Sequence, residues 1–248
     1  MQNIKKILLF LSILVAGKSY ATFYTLEYPP FSCLHEQTAK GISIHFIKEI
    51  FKLTNIKDDI VISNWENALE KAKRQEIDGI FPAIKNKNRE DFLIFPNESI
   101  FTEEIIAIGD KDEVTKIENN IEELNGKKIC SGKSYSLGKK IDELSSNNKI
   151  IRVDEEDIND CITKILKKDA DFFIADKLIA SITLMKSGAK AESLYTSKKV
   201  IESTPNYLAI AKKSKYANKI KEIEKVIAKL KKENFIRKIM TEDFKDCL

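Results

Sequence analysis

Short apolar runs alternate with segments of helical period along nearly the whole chain, and this rhythm restricts the fold more than any other feature. Phe23 to Leu26 reads as a strand, closed by Tyr28-Pro29-Pro30-Phe31 because proline cannot donate to a strand ladder. From Ser43 to Leu53, Ile44, Ile47, Ile50 and Phe51 recur at helical spacing. Ile60 to Ile62 is a strand, and Ser63-Asn64-Trp65-Glu66 has the form of a capping box that opens a helix through Ala72. Gly79 to Ile84 and Ile105 to Ile108 read as buried strands. Such a β-α-β-α-β order predicts an α/β fold built on an open, mostly parallel sheet flanked by helices.

The rhythm restarts after the charged stretch Asp110 to Glu113. Strands are expected at Lys128–Cys130, Ile150–Val153, Asp171–Ala175 and Tyr207–Ala211. Helices are expected up to Leu144, over Ile158–Leu166 and up to Met185. A final amphipathic helix is marked by Ile220, Ile223, Val226, Ile227 and Leu230. The chain therefore reads as two similar α/β units, with residues 22–110 in the first, 111–205 in the second, and 206–248 returning to the first. No Gly- or Pro-rich linker separates them, which predicts a hinge of strand-like crossings. A small-molecule site is expected in the cleft between two such lobes, beyond the carboxyl ends of the strands.

The first 21 residues carry the pattern of a secretory signal peptide. Lys5 and Lys6 precede an apolar run from Ile7 to Gly17, and Ser19-Tyr20-Ala21 supplies small residues for cleavage after Ala21. The run is too short to span a bilayer stably, and no cysteine follows it to take a lipid anchor. Cleavage removes three lysines and no acid, lowering the formal net charge from +4 to +1. A near-neutral exported chain has no electrostatic footprint for nucleic acid. Export also favours disulfides among Cys33, Cys130, Cys161 and Cys247, for which three pairings exist.

Four local patterns resemble the periplasmic solute-binding proteins of polar amino acid uptake, extracellular family 3. They are Tyr28-Pro29-Pro30-Phe31 followed by Gly41-Ile42; Asp78-Gly79-Ile80-Phe81-Pro82 with Arg89, Phe92 and Phe95 behind it; Asn125-Gly126-Lys127-Lys128-Ile129; and Asp171-Phe172-Phe173-Ile174-Ala175-Asp176. The resemblance implies the two-lobed type II periplasmic-binding-protein fold, with a ligand cleft between lobes. It implies that Arg89 clamps a ligand carboxylate, as a planar guanidinium can through paired hydrogen bonds. Asp176 would meet the ligand ammonium from the other lobe; capping the following helix is a competing role, and the two could coexist. Tyr28 and Trp65 would cover the ligand, Ser134 and Ser136 would contact it, and Tyr135 would form a wall. Amide groups of the helix that follows could also hold an anion. The resemblance further suggests pairing Cys130 with Cys161, which leaves Cys33 for Cys247. In one departure, Pro82-Ala83-Ile84-Lys85 stands where the family has a hydroxyl-rich stretch.

No Walker loop exists around Gly132 and Gly138, and His35 and His45 do not form a zinc-binding pair. Neither a metal nor another cofactor is expected. The function implied is periplasmic binding of a small polar solute, an amino acid, by a monomer that closes and docks on an ABC-type permease. Two alternatives share the fold: a solute-sensing module, and a cyclohexadienyl dehydratase-like enzyme whose acid would be Glu27 or Glu66.

Overall fold

The computed structural model describes residues 22–188, 193–243 and 247. The expected signal peptide and its cleavage point after Ala21 lie outside them. The chain begins with β1 (Thr22–Thr25), β2 (Cys33–His35), β3 (Thr38–Lys40), α1 (Ile42–Leu53), β4 (Asp59–Ile62), α2 (Trp65–Lys73), β5 (Gly79–Ile84), α3 (Lys87–Glu90), β6 (Leu93–Ile94) and β7 (Phe101–Gly109). It continues through α4 (Lys111–Asn119), β8 (Lys128–Gly132), α5 (Lys139–Ser146), β9 (Ile151–Glu155), α6 (Asp160–Leu166), β10 (Phe172–Asp176) and α7 (Lys177–Lys186). The described chain ends with β11 (Tyr195–Thr196), β12 (Glu202–Ala211), α8 (Ile220–Lys232) and α9 (Phe235–Asp243).

One sheet runs in the order β4-β1-β5-β12-β7-β10-β8-β9. At one end β4, β1 and β5 are parallel, and at the other so are β10, β8 and β9. Parallel neighbours need a crossover, and the intervening helices supply it. The seam is different. There β12 lies antiparallel to both β5 and β7, and β7 lies antiparallel to β10. These two strands are longer than expected: β7 starts at Phe101 rather than Ile105, and β12 at Glu202 rather than Tyr207. They are the two strand-like passages that connect the parallel sets.

Burial explains the element choices. Helix α1 hides Ile42, Ile44, Phe46, Ile47, Ile50 and Phe51, and α8 hides Ile223, Ile227 and Leu230, a stripe at helical spacing. Strand β5 is buried at every position except Ile84, which is partly buried. Near Pro82, which has no N–H for the ladder, the β5–β12 register shifts between Tyr207 and Ala209. A large apolar core gathers Phe23, Ile47, Phe81, Leu208 and Ile227; a smaller one gathers Ile129, Ile141, Phe172 and Ile174.

Two helix starts correct the sequence reading. The cap of α2 is Asn64, whose Oδ1 accepts from Asn67 N at 2.8 Å; Ser63 instead accepts from the Asn67 side chain. Ser63 therefore does not form the expected box with Glu66. The charged stretch after β7 opens α4, with Asp110 Oδ1 accepting from Asp112 N and Glu113 N. Bridges join Cys33 to Cys247 and Cys130 to Cys161, with Cα–Cα distances of 5.6 and 5.5 Å. No helix among the described residues is long and apolar enough to cross a membrane.

Candidate functional site

Three strand ends of the first parallel set converge on one point. Leu26 and Tyr28 follow β1, Trp65 opens α2 just after β4, and Ile84 ends β5 shortly before Arg89 on α3. From the other set, Tyr135 and Ser136 follow β8. Glu103 on β7 and Asn206 on β12 come from the crossing strands. Together with Pro82 these residues line a cavity of ≈ 30 Å³. The position obeys the rule that ligand sites in α/β sheets lie beyond the carboxyl ends of strands.

Arg89 is the dominant charge in this cavity, and it is only 6% exposed. Asn86 caps its short helix, accepting from Arg89 N at 3.0 Å, and so aims the side chain back over the strand end. The guanidinium donates to Ile84 O at 2.8 Å and to Ser134 O at 3.3 Å. It lies 5.4 Å from the Trp65 ring centroid, within cation–π range. Arginine has five N–H donors, so these two bonds leave donor capacity unused. Among the described residues Arg89 has no ion-pair partner. Burial lowers its pKa to about 10, opposed by Asp142 and Glu103, so it is a cation at neutral pH.

The buried acid of the cavity is Glu103, 4% exposed. Burial raises its carboxyl to about 8, and Asp176 adds to the rise; hydrogen bonding from Asn206 and Tyr28 and the Arg89 charge oppose it. The Tyr28 ring stacks near Phe31, with centroids 5.7 Å apart, and meets the Tyr135 ring edge-on at 5.7 Å. Its hydroxyl is pushed well above the usual tyrosine range by burial and then by Glu103. The Tyr135 ring folds back over Gly132, where an added Cβ would lie 2.5 Å from the ring.

Other anticipated residues are placed differently. Asp176 is not in the cavity wall. Its Oδ1 accepts from Leu178 N at 2.9 Å and Ile179 N at 3.3 Å, capping α7, and its Oδ2 accepts from Glu104 N at 3.2 Å. It borders a separate groove with Phe31, Phe101 and Leu178. Asp176 thus caps α7 outside the cavity that Arg89 lines, and the acid that lines it with Arg89 is Glu103. Ser136 lines the cavity, yet its hydroxyl donates to Asp142 Oδ2 at 2.5 Å. Ser134, in the left-handed region at φ 62°, offers its carbonyl to Arg89 and borders the open groove of ≈ 870 Å³ outside. The amides at the start of α5 are not open to an external anion: Asp142 accepts from Leu137 N and Glu202 from Lys140 N. Glu27 and Glu66, the acids weighed for catalysis, border a neighbouring cavity of ≈ 180 Å³ rather than this one.

Glu103 and Asn206 were missed by pattern reading, although a signal existed. On β7, Phe101, Glu103 and Ile105 share one face by strand alternation while Thr102 and Glu104 are exposed. A glutamate in phase with two large apolar residues marks a buried charge. Asn206 stands likewise between buried Thr204 and Leu208 on β12.

The sequence matches the family described as bacterial extracellular solute-binding proteins, family 3, over residues 22–246. No curated protein matches it by sequence. A mutant of ArgBP from T. maritima superposes with a TM-score of 0.71 at 19% identity, covering 92% of this chain and 96% of that one. The GluR0 ligand-binding core from Nostoc punctiforme, in complex with L-glutamate, gives 0.68 at 15%, covering 90% and 99%. The ancestral amino acid-binding protein AncCDT-1, a precursor of cyclohexadienyl dehydratase, gives 0.67 at 18%, covering 91% and 95%. At such identities the likenesses speak to fold alone, the two-lobed type II periplasmic-binding-protein architecture.

Proposed function

The chain belongs to the bacterial extracellular solute-binding proteins, family 3, and from that membership we propose that it captures an amino acid by closing two lobes around the Arg89 cavity. One lobe comprises residues 22–110 and 206–248, the other 111–205, and β7 and β12 form the hinge. The protein works in the periplasm as a monomer after cleavage following Ala21, and delivers its ligand to an ABC-type permease. The observation that carries the reading is Arg89: a buried cation with spare donors and no anionic partner among the described residues. A buried charge of this kind is costly until a counter-ion arrives, and a carboxylate matches its fork.

Closure follows from size. A cavity of ≈ 30 Å³ holds a water molecule or so, not an amino acid. Contacts that cross the gap, Arg89 to Ser134 O and Lys133 to Glu66 at 2.9 Å, belong to a closed arrangement. The lobes part to admit the ligand and then re-form on it. Trp65 and Tyr135 cover the bound solute, and Ser136 and Ser134 help set the wall against which it rests. Calorimetry of the mature protein against the twenty amino acids, opines and small organic acids tests this. At least one should bind, and Arg89→Gln should weaken that binding at least tenfold. Silence across all three classes would sink the proposal.

A further inference from the structure

We propose that Glu103, flanked by Asn206 and Tyr28, takes the cationic group of the ligand and gives up a proton when it does so. This rests on the reading above and deepens it, because it assigns the second pole of the same cavity. Arg89 and Glu103 line one small chamber, both almost wholly buried, yet they do not form an ion pair. The guanidinium is turned towards Ile84 O and Ser134 O, and the carboxylate towards Asn206 and Tyr28. A cation and a carboxyl group kept apart across a cavity suit a molecule that carries both charges: its carboxylate on Arg89, its ammonium on Glu103. Asp176, at the end of β10, accepts three backbone amides and does not line this chamber, whereas Glu103 does.

The groups that face Glu103 explain the proton. Asp176 at the start of α7 repels its charge, and burial disfavours it. Asn206 on β12, the Tyr28 hydroxyl after β1, and Arg89 on α3 favour it. The Tyr135 hydroxyl, after β8, is itself raised beyond its normal range by burial and then by Glu103. Glu104, the neighbour of Glu103 on β7, is exposed and pairs with Lys177 at 3.2 Å. The balance leaves the empty site holding a proton on Glu103 up to about pH 8. An incoming ammonium group prefers the carboxylate, so the proton leaves to solvent as the ligand enters.

The test is calorimetry of the mature protein at pH 7 in phosphate and in imidazole buffer, whose ionisation enthalpies differ. The probes are the L-amino acids and, for each one that binds, its desamino carboxylic acid. For an amino acid we expect release of close to one proton and an affinity that rises up to about tenfold per pH unit between pH 6 and 8. For the desamino acid we expect no release. In Glu103→Gln the preference for amino over desamino ligand collapses and the proton release disappears. An amino acid that binds the wild type without releasing a proton overturns the proposal while leaving the Arg89 reading intact. So does loss of the amino preference in Asp176→Asn but not in Glu103→Gln. If the wild type binds neither class, both readings fall together.

Discussion

Removing the Cys130–Cys161 bridge is the sharpest test of what holds the second lobe in shape. Both residues are fully buried, one in β8 and one in α6, and they lie 31 residues apart. Cys130 stands in β8, the strand that leads into the loop carrying Ser134, Tyr135 and Ser136. In the chain-entropy treatment, closing a loop of that size removes freedom from the unfolded chain worth about 3.7 kcal/mol. For a protein of this length, such a loss lowers Tm by roughly 7–15 °C. The Cys33–Cys247 bridge spans 214 residues, and the same treatment gives about 5.4 kcal/mol for it. Guanidinium unfolding of the oxidised protein and of the two double alanine variants measures both losses. If the unfolded chain governs, the long-range bridge is worth more by about 1.7 kcal/mol, and each variant unfolds with a steeper denaturant dependence because its unfolded state is more expanded. A smaller loss at Cys33–Cys247 than at Cys130–Cys161 would refute the entropic reasoning. It would shift the explanation to native packing of β8 against α6.

Three further outcomes are expected. Gly41→Ala should destabilise the protein by roughly 1–3 kcal/mol in thermal unfolding, because Gly41 has φ +114° and an added Cβ would meet Phe31 O at 2.6 Å, backbone that cannot swing aside. Glu103 has a raised folded-state pKa, so its contribution to stability is full below its unfolded value of 4.5 and fades as pH climbs to about 8. Denaturation of ligand-free protein from pH 5 to 8 should therefore show the wild type losing stability relative to Glu103→Gln; parallel curves would count against the buried carboxyl. Lys133 joins Glu66 and Glu156, each at 2.9 Å, but all three are substantially exposed. Lys133→Met should change stability by less than about 1 kcal/mol and weaken ligand binding only slightly, with the difference vanishing at high salt.

Most of the architecture was legible because each buried helix and strand states its own period. Arg89, Tyr28, Trp65, Tyr135 and Ser136 were implied by the family resemblance, and all five line one cavity beyond the strand ends. The remaining differences share a physical origin. Asp176 ends a strand and also precedes a helix, and composition alone does not reveal that three amides hold it. The start of α5 looked open to an anion, but Asp142 one turn into the helix and Glu202 from a distant strand satisfy it. Only the first of these two is local in sequence. Glu103 and Asn206 were passed over because β7 and β12 were read only where they become apolar, at Ile105 and Tyr207.

That last omission follows from what a hinge between lobes has to be. Where two apolar cores meet around a polar ligand, the connecting strands must present polar side chains to the shared space. They therefore break the hydrophobic pattern by which strands are recognised. A strand that opens Phe-Thr-Glu-Glu looks like a loop leading into β7, yet its third residue is buried. The same rule can be applied forwards. In a chain of this architecture, a charged residue lying in phase with large apolar neighbours at the start of a crossing strand is a candidate for the ligand's second pole. Glu103 is that residue here. It stands on β7, one of the two crossing strands proposed as the hinge.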